Sequence, residues 1–195
     1  MAQPDTRERI LLAAAELYRR QGMPASGLKQ IAAAANAAFG SIYHHFPGGK
    51  EQISEEVIRA EGVRYARLVG EQLSAATDPI DGIPGVFEAA GALLAATDYA
   101  EACSIETIAL EVASTNDRLR AATAEVFEDW TALLAHWFAS AGLDDEDCRR
   151  LALAALGALE GAFVLCRSLR STEPMAAAGT AVLAAARATA GALHD

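Results

Sequence analysis

The sequence is poor in the residues that build disulfide frameworks, metal clusters and β-sheets. Among 195 residues it has three cysteines, six prolines, 6% aromatic residues and only two lysines. Cys103, Cys148 and Cys166 are odd in number and far apart, which excludes a disulfide framework and a zinc ribbon and fits a reducing cytoplasm. Strand-like alternation of polar and apolar residues is nearly absent, so an α/β enzyme is not expected.

The signals of secretion, membrane insertion and nucleotide chemistry are also missing. Charged residues follow Met1 within a few positions, so we expect no secretory signal. The longest uncharged stretch, 30–49, contains Asn36, two histidines, a proline and three glycines, and cannot cross a bilayer as a helix. No phosphate-binding loop, dinucleotide fingerprint, zinc-protease motif or nucleophile elbow appears. We therefore expect a cytoplasmic protein that is not an enzyme and has no cofactor or metal site.

Alanine dominates the composition, with 46 positions, and 52% of all residues are hydrophobic. Because alanine is the strongest helix former, helix is the expected structure throughout. Apolar periodicity, capping residues and breakers divide the chain into about nine helices, and the predicted fold class is all-α. The predicted helices cover about residues 6–21, 27–34, 38–43, 50–74, 84–97, 103–114, 117–141, 145–168 and 173–193. Residues 114–116 are expected to cap helix seven, Gly142 to end it, and Asp144 or Asp145 to open helix eight.

The breaks between the first helices are the most informative part of the pattern. Thr6 is the N-cap candidate of the first helix, and Gly22 stands where a left-handed C-cap belongs. Ser26 can cap the second helix. The second and third helices are short and are separated by three residues centred on Asn36, a residue type that tolerates the left-handed conformation. Two short helices joined in this way predict a helix-turn-helix motif.

Charge is distributed unevenly along the chain. Residues 1–50 contain six basic and three acidic side chains, whereas residues 51–195 contain ten basic and twenty-three acidic ones. A basic end on an acidic body suggests a nucleic-acid-binding end. The acidic run at 144–147 is typical of a helix N-terminus, where the helix dipole favours negative charge.

The run Ile31-Ala32, Asn36 and Gly40–Phe46, closed by Gly49-Lys50-Glu51, resembles the TetR family of bacterial transcriptional regulators. The first helix matches as well, so the resemblance covers about residues 6–60. The segments 47–52 and 103–113 are similar to a subgroup of lincomycin- and flavonoid-responsive repressors. This resemblance implies a helix-turn-helix DNA-binding domain over 1–49 and a helical ligand-binding and dimerisation domain over 50–195, with helix four linking the two.

The resemblance also implies which residues meet DNA. Tyr43 and Lys50 are expected to hold phosphates, Ser41 beside Gly40 to contact a base or a phosphate, and Ser26 either to contact a phosphate or only to cap a helix. The third helix departs from the family pattern, because Ala38 and Phe39 replace a capping residue and a basic one. Phe39 suits apolar contact with a thymine methyl group. The predicted DNA-binding residues are Ser26, Lys29, Phe39, Gly40, Ser41, Tyr43, His44 and Lys50.

Helix seven carries an aromatic stripe at helical spacing, of the kind that usually forms a core. The family resemblance supports a second interpretation, in which helices four to eight enclose a ligand cavity lined partly by this stripe. Both interpretations remain open at this point. The predicted ligand-binding residues are Phe87, Cys103, Glu106, Trp130, Leu134, Glu160, Phe163 and Cys166.

The leading hypothesis is a ligand-responsive, dimeric DNA-binding repressor that a small, hydrophobic or aromatic molecule releases from a palindromic operator. The alternative is a DNA-binding regulator with a filled helical core, controlled by a protein partner or without a ligand. Apolar faces on helices eight and nine predict a homodimer through an intermolecular four-helix bundle.

Overall fold

A computed structural model describes residues 4–191 of the chain. Within this range the chain forms nine α-helices and a single 3-10 turn, and it contains no strand, which confirms the all-α prediction. The predicted end of the last helix near Leu193 lies outside the described residues. The helices are α1 (Thr6–Ala25), α2 (Leu28–Ala34), α3 (Phe39–His45), α4 (Gly49–Ser74), α5 (Ile83–Ala96), α6 (Ser104–Val112), α7 (Asp117–Ala139), α8 (Asp145–Leu169) and α9 (Glu173–Gly191), with the 3-10 turn at Ile80–Gly82.

Several predicted helix ends are confirmed by their capping geometry. The side-chain oxygen of Asn116 accepts the Leu119 N–H at 2.9 Å and so caps α7. The Asp144 carboxylate accepts the Asp147 N–H at 2.8 Å and caps α8. Gly142, which follows α7, has a φ of +86°. Side-chain capping and left-handed glycine were readable from the sequence because both depend on residues next to each other in the chain.

Two predictions at the first helix need correction. Thr6 does not cap α1; Asp5 does, since its carboxylate accepts the Glu8 N–H at 2.8 Å and Thr6 is already helical. A carboxylate at this position also interacts favourably with the helix dipole. Gly22 has the expected positive φ of +80°, but its ψ of 166° is extended, and the chain makes one more helical turn before α1 ends at Ala25.

The chain divides into two compact units. The first contains the residues up to Val63 together with Cys103–Val126, and therefore α1, α2, α3 and α6. Its core is built on fully buried isoleucines of the first four helices, on Tyr18 of α1 and on Phe46 directly after α3, and α6 packs on α1. The buried hydroxyl of Tyr18 lies 2.9 Å from that of Ser54, and burial raises the pKa of Tyr18 to about 12. The functional boundary predicted after residue 49 stays a prediction.

Among the described residues, the second unit contains 64–102 and 127–191. Here α9 packs against both α5 and α8. Gly179 of α9 lies so close to Phe87 of α5 that a Cβ at position 179 would be 3.0 Å from the Phe87 Cβ. The Trp137 indole N–H donates to the Pro79 carbonyl at 2.6 Å, which ties α7 to the segment before α5. The unit is thus a helical body with one apolar core.

Two glycines of α4 offer a matched test of the packing. A Cβ at Gly62 would lie 2.7 Å from the nearest methyl carbon of Val126, whereas no described atom lies within 4 Å of a Cβ at Gly70. We expect Gly62→Ala to lower the free energy of unfolding by about 1–2 kcal/mol through overpacking. Gly70→Ala should raise it by up to about 1 kcal/mol, because alanine favours a helix. Urea unfolding at one fixed protein concentration measures both, and equal stabilisation by the two substitutions would contradict the packing described.

Candidate functional site

The turn between α2 and α3 has the geometry of a helix-turn-helix. Asn36 adopts a left-handed conformation with φ +47°, as the sequence predicted. The Ala37 N–H donates to the Ala32 carbonyl at 2.9 Å and closes the turn. Ile31 of α2 and Ile42 of α3 are completely buried. One side of each helix is therefore fixed in the core of the first unit, and the other side of α3 is free to face a ligand.

Arg9 of α1 holds this turn from outside the motif. Its Nε donates to the Ala35 carbonyl at 3.1 Å, and its other nitrogens donate to the Pro4 carbonyl and the Thr6 hydroxyl. Sequence reasoning did not assign a role to Arg9, because its partner lies 26 residues away and no local pattern marks the pair. A guanidinium that satisfies a carbonyl at the end of α2 keeps the turn in one conformation.

The solvent face of α3 carries most of the predicted DNA-binding residues. Phe39 is 43% exposed and Tyr43 is 52% exposed. Their rings meet edge to face with centroids 5.9 Å apart. Gly40 and His44 are also exposed, and Ser41 is half-buried. The residues available on this face are thus aromatic, small or polar, and α3 itself has no lysine or arginine.

Lys50 stands in the first turn of α4 and is half-buried. Its ammonium donates to the Pro24 carbonyl at 3.4 Å. Burial lowers the pKa of Lys50, and the negative charge of Glu111 opposes that effect. The loop that leads into α4 is tight, since Gly49 has a φ of +63° and its N–H donates to the Phe46 carbonyl at 2.8 Å. The ammonium group therefore lies beside the end of α1, in a hydrogen bond that is still exposed to solvent.

Glu111 of α6 is a second residue that sequence reasoning missed. Its carboxylate accepts the Met23 N–H at 3.0 Å, across 88 residues of sequence. Burial raises the pKa of Glu111, while the Met23 N–H and Lys50 lower it. A Cβ at position 22 would lie 2.2 Å from a Glu111 oxygen. Gly22 is thus required both for its positive φ and for the close approach of this carboxylate.

The structure corrects one of the two roles predicted for Ser26, the capping of α2. Its hydroxyl is completely buried, donates to the Gly22 carbonyl at 2.7 Å and accepts from the Gln21 side chain at 3.2 Å. The residue before α2 is Gly27, so Ser26 does not cap that helix. The Ser26 hydroxyl thus lies inside the first unit, and the phosphate contact predicted for it stays a prediction. Lys29, by contrast, is exposed on α2.

The eight residues predicted to bind a ligand fall in different environments. Cys103 and Glu106 lie in the first unit, where the buried Cys103 sulfur accepts the Glu106 N–H at 3.5 Å and caps α6. The other six belong to the second unit. Of these, Phe87 and Cys166 are buried in its apolar core, Leu134 and Phe163 are partly buried against it, and Glu160 is half-buried on α8.

Trp130 takes part in a small aromatic cluster of the second unit. Its ring meets Tyr65 of α4 edge to face at a centroid distance of 6.0 Å, and Phe127 at 5.8 Å. The Arg64 guanidinium lies 4.2 Å from the centre of the Tyr65 ring. Trp130 is buried, whereas Tyr65 and Phe127 are half-buried. Tyr65 was missed in the sequence because α4 does not have an aromatic stripe to mark it.

Two family models match the chain. Residues 10–57 match the model of bacterial regulatory proteins of the tetR family, and residues 79–181 match the C-terminal domain of LmrA/YxaF-like transcriptional regulators. The chain belongs to the TetR family. It is a DNA-binding transcriptional regulator and not an enzyme, and the resemblance read from the sequence is confirmed. Regulators of this family bind operator DNA, form dimers and bind small-molecule effectors.

Individual relatives match over nearly the whole chain. It is 27% identical over 175 residues to the HTH-type transcriptional regulator LmrA of Bacillus subtilis, covering 90% of this chain and 93% of the relative. It is 30% identical over 174 residues to an uncharacterized HTH-type transcriptional regulator of Mycobacterium tuberculosis, covering 87% of this chain and 88% of the relative. The crystal structure of a regulatory protein TetR from Rhodobacter sphaeroides has the same fold, with a TM-score of 0.84 at 24% identity. The match covers 92% of this chain and 98% of the chain in that structure.

Lys50 provides a test of the phosphate contacts predicted from the sequence. Lys50→Ala should weaken binding to every DNA sequence alike, because a phosphate contact carries no sequence information. The slope of log K against log salt should become shallower by about one unit, since each contact releases about 0.9 counterions.

Fluorescence anisotropy with several operator variants over a range of salt concentrations measures both effects. Arg150→Ala removes a positive charge from α8 and serves as the matched control, with the slope expected to stay unchanged. A loss of affinity for only some of the operators would contradict the role assigned to Lys50.

Proposed function

We propose that this protein is a dimeric repressor that leaves its operator when a small, largely apolar molecule binds to the helical body. The proposal is carried by one observation: an exposed, aromatic face on α3 and an aromatic cluster around Trp130 occur in the same chain but in different compact units. The first suits a DNA groove, and the second suits a flat organic ligand. Such a regulator works in the cytoplasm, where bacterial DNA lies.

The DNA part of the proposal assigns α3 to the major groove. In helix-turn-helix proteins the N-terminal residues of the second helix contact base edges, and flanking residues contact the backbone. The start of α3 consists of the exposed Phe39 and Gly40 and the half-buried Ser41, and all three residues are proposed to meet bases. Tyr43, His44, Lys29 and Lys50 are proposed to contact phosphates.

The effector part of the proposal rests on the aromatic cluster of the second unit. The rings of Tyr65, Phe127 and Trp130 meet edge to face and concentrate apolar area around the buried Trp130. A flat aromatic compound suits that surface. We propose Trp130, Leu134, Glu160 and Phe163 as contacts from the second unit, with Phe87 and Cys166 behind them. The ligand contacts predicted for Cys103 and Glu106, which belong to the first unit, stay predictions.

The same helix carries residues of both proposed sites. α4 begins next to Lys50 and contains Tyr65 fifteen positions later, within one uninterrupted helix from Gly49 to Ser74. We propose that an effector acts by shifting α4 and so changing the spacing of the two recognition helices in the dimer. The half-sites of a palindromic operator are spaced by whole helical turns, about 34–36 Å for one turn, so a shift of a few ångströms breaks the register.

A second candidate function is control by a protein partner instead of a ligand. The observation that favours it is the packing of Phe87, Leu134, Phe163 and Cys166, which all take part in the apolar core of the second unit. Residues that fill a core do not need a ligand to complete it. A thermal-shift screen of flavonoids and other flat aromatic compounds separates the two candidates, because only the ligand-responsive repressor should be stabilised by a member of the set.

The decisive test of effector release is thermodynamic. A compound from that screen should bind more weakly, by about 5–150-fold, when the protein is saturated with its operator, because coupling between two sites is reciprocal. The operator is first obtained by selection from random DNA, and calorimetric titration then compares the free protein with the complex. Equal affinities in the two titrations would contradict effector release.

The dimer part of the proposal rests on the outer face of α8. Its apolar residues Leu153, Val164, Leu165 and Leu169 are 48%, 49%, 52% and 65% exposed. By length and composition alone α8 could also cross a membrane. It begins with three acidic residues, however, and its other face is packed against α9. A second copy of the same helix pair would cover the exposed side chains in an isologous four-helix bundle.

Val164→Glu should disrupt this dimer, because two carboxylates would be buried at a two-fold interface without partners. Light scattering at micromolar concentration should change from a dimer mass to a monomer mass. Leu93→Glu, at an exposed position of α5, is the matched control and should remain dimeric. A monomeric wild-type protein, or a dimer disrupted only by the α5 substitution, would contradict the proposed interface.

A further inference from the structure

The start of α3 has a composition that suits one kind of base contact. Its first residue is Phe39, and its seven residues include two histidines but no lysine or arginine. Ala38 precedes it with no side-chain hydrogen bond to the helix among the described residues. The part of the helix that would enter a groove first therefore offers a hydrocarbon ring rather than a donor, an acceptor or a charge.

The ring of Phe39 is both exposed and supported. Phe39 is 43% exposed, and its ring meets the Tyr43 ring edge to face at an interplanar angle of 85°. Residues four apart on a helix lie on the same side, so the two aromatic side chains form one surface along α3. An apolar ring left exposed on a binding surface gains free energy only when a partner removes it from water.

We propose that Phe39 reads the 5-methyl group of a thymine in each half-site of the operator. In the major groove the thymine methyl is the one apolar feature that distinguishes a base pair, and phenylalanine is among the side chains that contact it. A phenyl ring can form no hydrogen bond with the donors and acceptors of the other base edges. Specificity at this position thus comes from burial of the methyl group. The inference rests on the proposed placement of α3 in the major groove.

The size of the effect follows from the area involved. Burying one methyl group contributes about 0.8 kcal/mol, which corresponds to about fourfold in affinity for each half-site. The affinity of a dimer that reads two half-sites should then fall about fifteenfold when both methyl groups are absent. Because the contact involves no counterion release, the salt dependence of binding should not change.

Deoxyuridine provides a direct test, since it differs from thymidine only in lacking the methyl group. The operator selected from random DNA is synthesised with each symmetric pair of thymines replaced in turn by deoxyuridine, and the full-length dimer is titrated against each. Replacement of thymine by deoxyuridine at one pair of positions should lower the affinity of the wild-type protein by about fifteenfold. An operator without thymine, or equal affinities at every pair, would overturn the proposal.

Phe39→Ala should remove the preference for thymine over deoxyuridine. This variant is expected to bind the thymine and deoxyuridine operators equally, with the affinity that the wild-type protein has for the deoxyuridine operator. Phe39→Leu keeps an apolar contact and should retain part of the preference. Leu110→Ala, at an exposed apolar position of α6 in the same unit, is the matched control and should keep it entirely. A Phe39→Ala variant that still prefers thymine at the same position would overturn the assignment.

Failure of the inference can be distinguished from failure of the proposed site. No described atom lies within 4 Å of a Cβ built on Gly40, so Gly40→Ala adds a methyl group without straining the free protein. If α3 lies in the groove, this methyl meets the DNA and weakens binding to all operators. Gly40→Ala with wild-type affinity would contradict the groove placement itself. If Gly40→Ala weakens binding but the wild-type protein shows no preference for thymine over deoxyuridine, only the proposed contact between Phe39 and the thymine methyl is overturned.

Discussion

The hydrogen bond from Arg9 to the carbonyl of Ala35 holds the turn between α2 and α3, and the position of the DNA-facing surface depends on this turn. That carbonyl ends α2, and the next residue, Asn36, is left-handed with φ +47°. Together they fix the angle between α2 and α3, while Ile31 and Ile42 anchor both helices in the core. If the turn were free to vary, α3 would present no defined surface, and neither base reading nor a register between half-sites could follow.

Exposed apolar side chains mark the surfaces that are proposed to meet partners. Phe39 and Tyr43 on α3 and the leucines and valine on α8 remain in contact with water in the single chain. Scattered exposed leucines are ordinary, but several along one helix face are typical of an interaction surface. The two surfaces differ in shape and chemistry. The α3 face is short, aromatic and next to polar residues, whereas the α8 face runs along a long helix with glycines at 157 and 161.

Local signals account for what the sequence predicted well. Asn36, Gly142, Asn116 and Asp144 act on their own or on neighbouring residues, so helix ends and the helix-turn-helix were readable without a structure. The error at Ser26 has a local cause as well: the extra turn after Gly22 directs its hydroxyl back to the Gly22 carbonyl.

Contacts between residues far apart in sequence could not be predicted. Arg9 and Ala35 are separated by 26 residues, and Glu111 and Met23 by 88. Each contact joins a charged side chain to a backbone group, and any backbone group has the same chemistry, so no sequence pattern names the partner. The membership of α6 in the first unit follows from such contacts and from its packing on α1. The same limit explains why Tyr65 was not recognised as a neighbour of Trp130.

Site-specific photocrosslinking from position 39 tests the central claim, that α3 lies in the major groove of the operator, most directly. A benzophenone side chain is introduced in place of Phe39 in the full-length protein, and the crosslinked bases of the selected operator are mapped. We expect crosslinks to bases at two positions related by the operator's two-fold symmetry. We expect no crosslink when the same group replaces Leu110. Crosslinks from position 110 but not from position 39 would contradict it.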